Sequence, residues 1–308
     1  MTASKKDLLS LFELSPEEIS SIIDEARKIK KNRFTNSPEA FKDRTGVMIF
    51  EKPSLRTRIT FETAINELGG HPINLSSNMI GMGKRESVED IARNLERWVH
   101  LIIARTYSHE TVEQLAKFSK IPVINALTDT FHPCQALAFA LTVHERLHSK
   151  TKINVVFIGD GNNVCNSIMI LCAKLGYNFT AVCPEKYSPI HDIFNRCCEI
   201  GKNTGSRINV SHEIFTAVKN ADILYTDVWT SMGQEQEMER RKTDFKQFQI
   251  NKKVLENAPS DILVSHCLPA HRGEEITSEI LDSNISVAFD EAENRLHAQK
   301  AVIVHLFS

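Results

Sequence analysis

Short apolar runs of four to six residues recur along the chain, with stretches of helical spacing between them. The runs fall at 45–50, 72–75, 99–104, 122–125, 153–158, 178–183, 207–210, 222–225, 261–264 and 285–289. The intervening helices are predicted at 15–32, 56–68, 87–97, 109–119, 132–147, 163–175, 187–200 and 291–306. Strands joined through helices must run parallel, and a parallel sheet needs helices on both faces. The pattern therefore predicts an α/β protein with two domains, each a parallel β-sheet flanked by helices. With 308 residues there is enough chain for two domains of ordinary size. The polar stretch H-E-R-L-H-S-K-T-K at 144–152 precedes a fresh strand and marks the division.

Composition removes several function classes. A net charge of -2 with 25% charged residues carries no nucleic-acid footprint, so a small anionic ligand would need locally placed cations. No apolar run approaches the roughly 20 residues of a membrane span, and residues 1–14 lack the apolar core of a signal peptide. Seven cysteines, an odd number with no C-x-x-C pair, read as reduced thiols in a cytosolic protein. Most of them are expected to act as small core hydrophobes.

In parallel sheets, ligands bind beyond the carboxyl ends of the strands. Five segments there carry chemistry. The first is S-L-R-T-R at 54–58: Ser54 is a candidate N-cap, and the helix-start amides with Arg56, Thr57 and Arg58 suit a phosphate. The plainer reading is a capped surface helix with solvated arginines. The second is Arg105, directly after the run at 99–104. The third is H-P-C-Q at 132–135, where His132 and Gln135 share a helix face. A neutral His can donate to a carbonyl oxygen, and Gln can hold an amide nitrogen.

The fourth, G-D-G-N-N-V at 159–164, is close to a dinucleotide loop but has Val164 in the third glycine position. Cys183, not an acidic residue, ends the next strand. A tight turn that brings Asn163 to a polar ligand is the favoured reading. The fifth joins D-V-W-T-S-M-G at 227–233 to H-C-L-P at 266–269. Asp227 is a candidate partner for an amine, and Cys267 is a nucleophile, a proton acceptor or a buried structural thiol.

The ordered set S-L-R-T-R, Arg105, H-P-C-Q, G-D-G-N-N-V, D-V-W-T-S-M-G, H-C-L-P and E-N-R-L at 293–296 resembles the ornithine carbamoyltransferases over essentially the whole chain. The resemblance implies a carbamoyl-phosphate-binding domain at 1–147, an ornithine-binding domain at 148–290, and a last helix, 291–308, that packs back on the first domain. It implies that Ser54, Leu55, Arg56, Thr57, Arg105, His132, Gln135, Cys267, Leu268 and Arg295 hold carbamoyl phosphate. Asn163, Asp227, Ser231 and Met232 would hold ornithine, and Arg105, His132 and Cys267 would be catalytic. The implied reaction gives L-citrulline and phosphate in arginine metabolism, without metal or cofactor, in a cytoplasmic homotrimer with shared active sites and no nucleic-acid or membrane partner. Related readings are a carbamoyltransferase for another amine such as putrescine, a nicotinamide dehydrogenase built on the G-D-G loop, and an inactive paralogue. Two positions depart from the family: Leu55 stands where Thr is usual, and Gly81 where a Gln usually reaches the neighbouring subunit's ligand.

Overall fold

The computed structural model describes residues 5–35, 38–76, 80–230 and 235–308. It divides into two compact units, residues 1–141 with 293–308 and residues 142–292. In the first unit the elements run α1 (Pro16–Lys31), β1 (Thr45–Phe50), α2 (Leu55–Glu67), β2 (His71–Ser76), α3 (Val88–Trp98), β3 (Leu101–Arg105), α4 (His109–Phe118) and β4 (Val123–Leu127), and α5 (Pro133–Arg146) begins there and continues into the second. The second holds β5 (Asn154–Ile158), α6 (Asn163–Leu175), β6 (Asn178–Val182), α7 (His191–Thr204), β7 (Ile208–Ser211), α8 (Ile214–Ala217), β8 (Ile223–Thr226), α9 (Met238–Phe245), α10 (Lys252–Leu255), β9 (Leu263–His266) and α11 (Ser278–Leu281). The last helix, α12 (Ala288–Phe307), begins in the second unit and continues in the first.

Both sheets are wholly parallel among the described residues, with orders β2-β1-β3-β4 and β7-β6-β5-β8-β9. In each order the chain starts from an inner strand, builds outward on one side, then crosses to the other. The reversal leaves one switch point per sheet, between β1 and β3 in the first and between β5 and β8 in the second. At such a point the loops leaving two adjacent strands diverge and open a crevice at the carboxyl edge.

Local sequence accounts for the elements. α1 is opened by a capping box: Ser15 Oγ accepts from the Glu18 amide at 3.1 Å, Glu18 Oε2 accepts from the Ser15 amide at 3.0 Å, and Pro16 takes the first helical position. Its buried face is Ile19, Ile22, Ile23, Ala26 and Ile29, the spacing of one helical stripe. α6 and α7 end at Gly176 and Gly205, whose φ values of 75° and 76° form left-handed caps that a side chain would resist. β3 and β4 are buried along their whole length, as strands covered on both faces must be. Pro72 is tolerated in β2 because β2 is an edge strand.

Around the first sheet, Val47, Ile49, Ile102, Ala104 and Val123 pack with Ile91, Leu95, Val112 and Leu115. In the second unit, Val156, Ile158, Leu224 and Val264 pack with Trp229, Phe245 and Ile280. Burying each large aliphatic side chain contributes roughly 1.5–3 kcal/mol. Within the first unit, Glu67 at the end of α2 accepts from Arg33 Nη2 at 2.7 Å and from Lys300 Nζ at 3.0 Å, which ties α12 to α2.

One expected strand is not one. The run at 285–289 makes a single bridge, Ser286 to Val264, with hydrogen bonds from Val264 N to Ile285 O at 2.9 Å and from Val287 N to Val264 O at 2.8 Å. Helix α12 then starts at Ala288, where Asp290 and Glu291 in its first turn favour the positive end of a helix dipole. The helix expected from 187 begins at His191, two residues after Pro189. Among the described residues no helix is long and apolar enough to cross a membrane.

Candidate active site

The first switch point collects cations. β1 ends at Phe50, in register with Arg105 at the end of β3. The Glu51 amide donates to the Arg105 carbonyl at 2.9 Å, so the two strand ends leave the sheet together. Ser54 caps α2, its hydroxyl accepting from the Thr57 amide at 3.3 Å. Thr57 is buried, and its Oγ1 accepts from Arg105 Nη1 at 3.4 Å and from Arg295 Nη2 at 3.1 Å. Arg295 also donates through Nη1 to Gln135 Oε1 at 2.6 Å. Two buried guanidinium groups, from β3 and α12, thus meet at one neutral hydroxyl beside a helix start.

His132 precedes α5, and its carbonyl accepts from the Gln135 amide at 3.1 Å. Burial, with Arg295 and Arg105 nearby, holds its imidazole well below the usual histidine range. It is therefore neutral at ordinary pH and able to donate one hydrogen bond without carrying charge. Arg56 is half-buried, whereas Arg58 is exposed and faces Glu62 at 3.8 Å. The solvated reading holds for Arg58. Leu55 is 75% exposed, so only its backbone can face a ligand at the helix start.

The second switch point collects polar groups. Ile158, Thr226 and His266 are in register across β5, β8 and β9, so the residues that follow them share one edge. Asp227 is nearly buried there, and donors from three strand ends converge on it. Asn162 Nδ2 donates to Oδ2 at 2.8 Å; the Val228 amide and the Cys267 thiol donate to Oδ1 at 2.7 and 2.8 Å. Asn162 also caps α6, its Oδ1 accepting from the Val164 and Cys165 amides at 3.0 Å. Asn163 is the first residue of α6, with its Oδ1 3.0 Å from the Val164 amide. Leu268 has φ 52° and is followed by a cis peptide to Pro269.

The G-D-G turn is filled by the protein itself. A Cβ on Gly161 would lie 2.4 Å from Pro189 N and 2.5 Å from the Ser188 carbonyl carbon. The Gly161 amide donates to Tyr187 O at 2.8 Å. The glycine serves close packing of backbone on backbone, not the approach of a pyrophosphate. Arg241, in α9, is buried against the same loop: Nη1 donates to Asp160 Oδ2 at 2.7 Å and to Trp229 O at 2.9 Å, and Nε donates to Glu237 Oε2 at 3.0 Å.

Of the expected ligands of the first unit, Ser54, Thr57, Arg105, His132, Gln135 and Arg295 are brought together at one strand-end cluster, and Arg56 stands half-buried in the first turn of α2. Cys267 and Leu268 belong to the second unit, where they stand with Asp227. Ser231 and Met232 lie outside the described residues. Sequence reasoning missed Asn162, although an Asn directly after the G-D-G turn and before N-V-C-N carries a cap signal. It also missed Lys52, which is buried with Nζ 4.3 Å from the centre of the Tyr107 ring. Asp227, His266 and Cys267 present metal-ligand atoms within 4.8 Å of one another, and so do His271, Glu274 and Glu275. Both ring nitrogens of His266 are already hydrogen-bonded, so a metal in the first group would have to displace one bond. Cys134, Cys165, Cys172, Cys183 and Cys197 are buried and fit the core reading, whereas Cys198 is half-buried; burial pushes Cys134 and Cys197 up to about 12 and Cys183 up to about 11.

Two parallel sheets, each with a polar cluster at its switch point, define a two-unit α/β enzyme architecture. The chain belongs to the aspartate/ornithine carbamoyltransferase family: the carbamoyl-P binding domain matches residues 6–145 and the Asp/Orn binding domain residues 151–306. It is 48% identical to the ornithine carbamoyltransferase of Methanosarcina mazei over 98% of this chain and 99% of that one. The solved ornithine carbamoyltransferase of Pyrococcus furiosus superposes with a TM-score of 0.94 at 44% identity, covering 98% of this chain and 97% of that one. The anabolic enzyme from Campylobacter jejuni superposes with a TM-score of 0.93 at 38% identity, covering 98% of each chain.

Proposed function

We propose that the protein transfers the carbamoyl group of carbamoyl phosphate to the side-chain amine of L-ornithine, releasing L-citrulline and phosphate. The observation that carries this reading is the meeting of Arg105 and Arg295 at Thr57 Oγ1, beside the capped start of α2. Two cations that share a neutral acceptor repel each other, and a dianionic phosphate turns that repulsion into attraction. Helix-start amides add donors suited to phosphate oxygens.

The chemistry needs positioning and charge stabilisation. The amine nitrogen attacks the carbonyl carbon, the bond from that carbon to the phosphate oxygen breaks, and the nitrogen loses a proton. Ser54, Arg56 and Thr57, with the backbone of Leu55, anchor the phosphate. Arg105 and neutral His132 donate to the carbonyl oxygen, on which negative charge develops. Gln135, Arg295 and the carbonyls of Cys267 and Leu268 orient the carbamoyl group. Asn163 and Asp227, with Ser231 and Met232, hold the amino acid, and Cys267 positions or deprotonates the attacking amine beside Asp227.

A cytoplasmic homotrimer with shared sites completes the proposal. Leu55 and Ile59, both exposed and one turn apart on α2, support an association surface beside the phosphate cluster. Product formation with ornithine, putrescine and aspartate, each with carbamoyl phosphate, tests the reading. Citrulline is expected as the dominant product. Preferred carbamoylation of putrescine or aspartate would reassign the acceptor, and no product from any amine would make the chain a binder without activity.

A further inference from the structure

We propose that His266 and Glu275 are a buried positioning pair that sets the Cys267–Leu268 turn, an inference that rests on the function proposed above for that turn. Both residues are fully buried. The Leu268 amide donates to His266 Nδ1 at 2.8 Å, so Nδ1 is the ring nitrogen without a proton. Nε2 then carries the proton and donates to Glu275 Oε1 at 2.9 Å. The same carboxylate oxygen accepts from the His271 amide at 2.6 Å. One imidazole and one carboxylate thus tie the inner face of the turn to its exit, bridging residues 266 to 271.

The turn has a reason to need this. Leu268 sits at φ 52°, a left-handed conformation that a branched side chain resists. Its amide is pinned in that conformation by a ring whose tautomer is fixed from the other side. The adjacent Cys267 thereby keeps its thiol on Asp227. His266 touches no reacting atom in this scheme. It acts through the turn, as outer partners fix ligating groups in other sites.

The two hydrogen bonds can be separated. In His266→Asn the amide oxygen can replace Nδ1 as acceptor for Leu268, but the link to Glu275 is lost. In His266→Gln the longer amide can reach Glu275, but the acceptor for Leu268 is lost. The expected result is a crossover. The Asn variant melts lower yet keeps kcat for citrulline formation within about threefold of the native protein. The Gln variant melts closer to native, yet loses about 30-fold or more in kcat, with KM for carbamoyl phosphate nearly unchanged. A role in stability alone makes activity follow the melting order, and that outcome overturns the proposal. Nitrogen NMR of the histidine-labelled native protein supplies an arm independent of variant folding. An unprotonated Nδ1 and protonated Nε2 at His266 are expected; a protonated Nδ1 overturns the pair. A native protein that makes no citrulline sinks the functional reading instead, while the ring tautomer still judges the pair.

Discussion

At the scale of single residues, the phosphate cluster makes the sharpest demands. Arg105→Ala and Arg56→Ala each remove a charge-assisted contact of about 3 kcal/mol or more, so kcat/KM is expected to fall at least ~100-fold in each. Steady-state kinetics with saturating ornithine check this, and near-native values in either variant remove that residue from the site. Cys267→Ser is expected to lose most activity while still binding carbamoyl phosphate, because its thiol meets Asp227 in the second unit. Full activity in that variant would return Cys267 to a structural role. His132 makes a pH prediction. Burial depresses its folded-state pKa, so the unfolded chain binds the proton first as pH falls. Its contribution to stability is complete above the unfolded value of about 6.5 and is lost as pH drops toward the folded value. Melting temperature measured from pH 7 to 5 should therefore fall more steeply in the native protein than in His132→Asn. Parallel profiles would show that His132 is not held neutral by the fold.

At the scale of elements, Gly161 tests the reading of the G-D-G turn. A methyl group there meets backbone at Ser188 and Pro189, which cannot swing aside as a side-chain tip can. Gly161→Ala is expected to destabilise the second unit by about 1–3 kcal/mol, seen as a lower denaturant midpoint. An unchanged midpoint would mean that the turn has room for a ligand after all. The strands around this turn were legible because parallel strands are buried on both faces, so V-V-F-I and I-L-Y-T stand out against polar turns. The run at 285–289 misled for the same reason: a short apolar run does not reveal whether it extends into a ladder or bends into a helix. The strand-end placement of Arg105, His132 and Asp227 could be read from order alone. The contact of Asp227 with Cys267 could not, since it depends on β8 and β9 being neighbours in register. Asn162 was passed over for Asn163 because a one-residue shift at a helix start decides which side chain caps and which is helical.

At the scale of the whole molecule, the departure at Gly81 acquires a physical reason. Gly81 has φ 63°, and a Cβ there would lie 2.7 Å from Arg85 Cβ. Its carbonyl accepts from the Lys84 and Arg85 amides at 2.9 and 2.7 Å, a tight turn that leaves both cationic side chains exposed. A Gln would not fit this turn without strain, so Lys84 or Arg85 is the group expected to serve a neighbouring subunit's carbamoyl phosphate. Under the shared-site assembly proposed above, mixing an inactive Arg56→Ala chain with a Lys84→Ala/Arg85→Ala chain should restore part of the activity. A double variant with native activity and native carbamoyl-phosphate affinity ends that proposal. The placement of Arg295 has a different consequence, one for protein engineering. The acceptor-side cluster lies wholly within residues 142–292, whereas Arg295 stands beyond them and counts with the donor-side unit. A chimera meant to change the amine while keeping the carbamoyl donor must therefore be cut as an insertion, with foreign sequence that retains the H-C-L-P turn at 266–269 replacing 142–292 and the native chain resuming at Glu293. A graft that ran on to the carboxyl terminus would exchange part of the donor pocket along with the acceptor pocket, and its change in specificity could not be assigned to either.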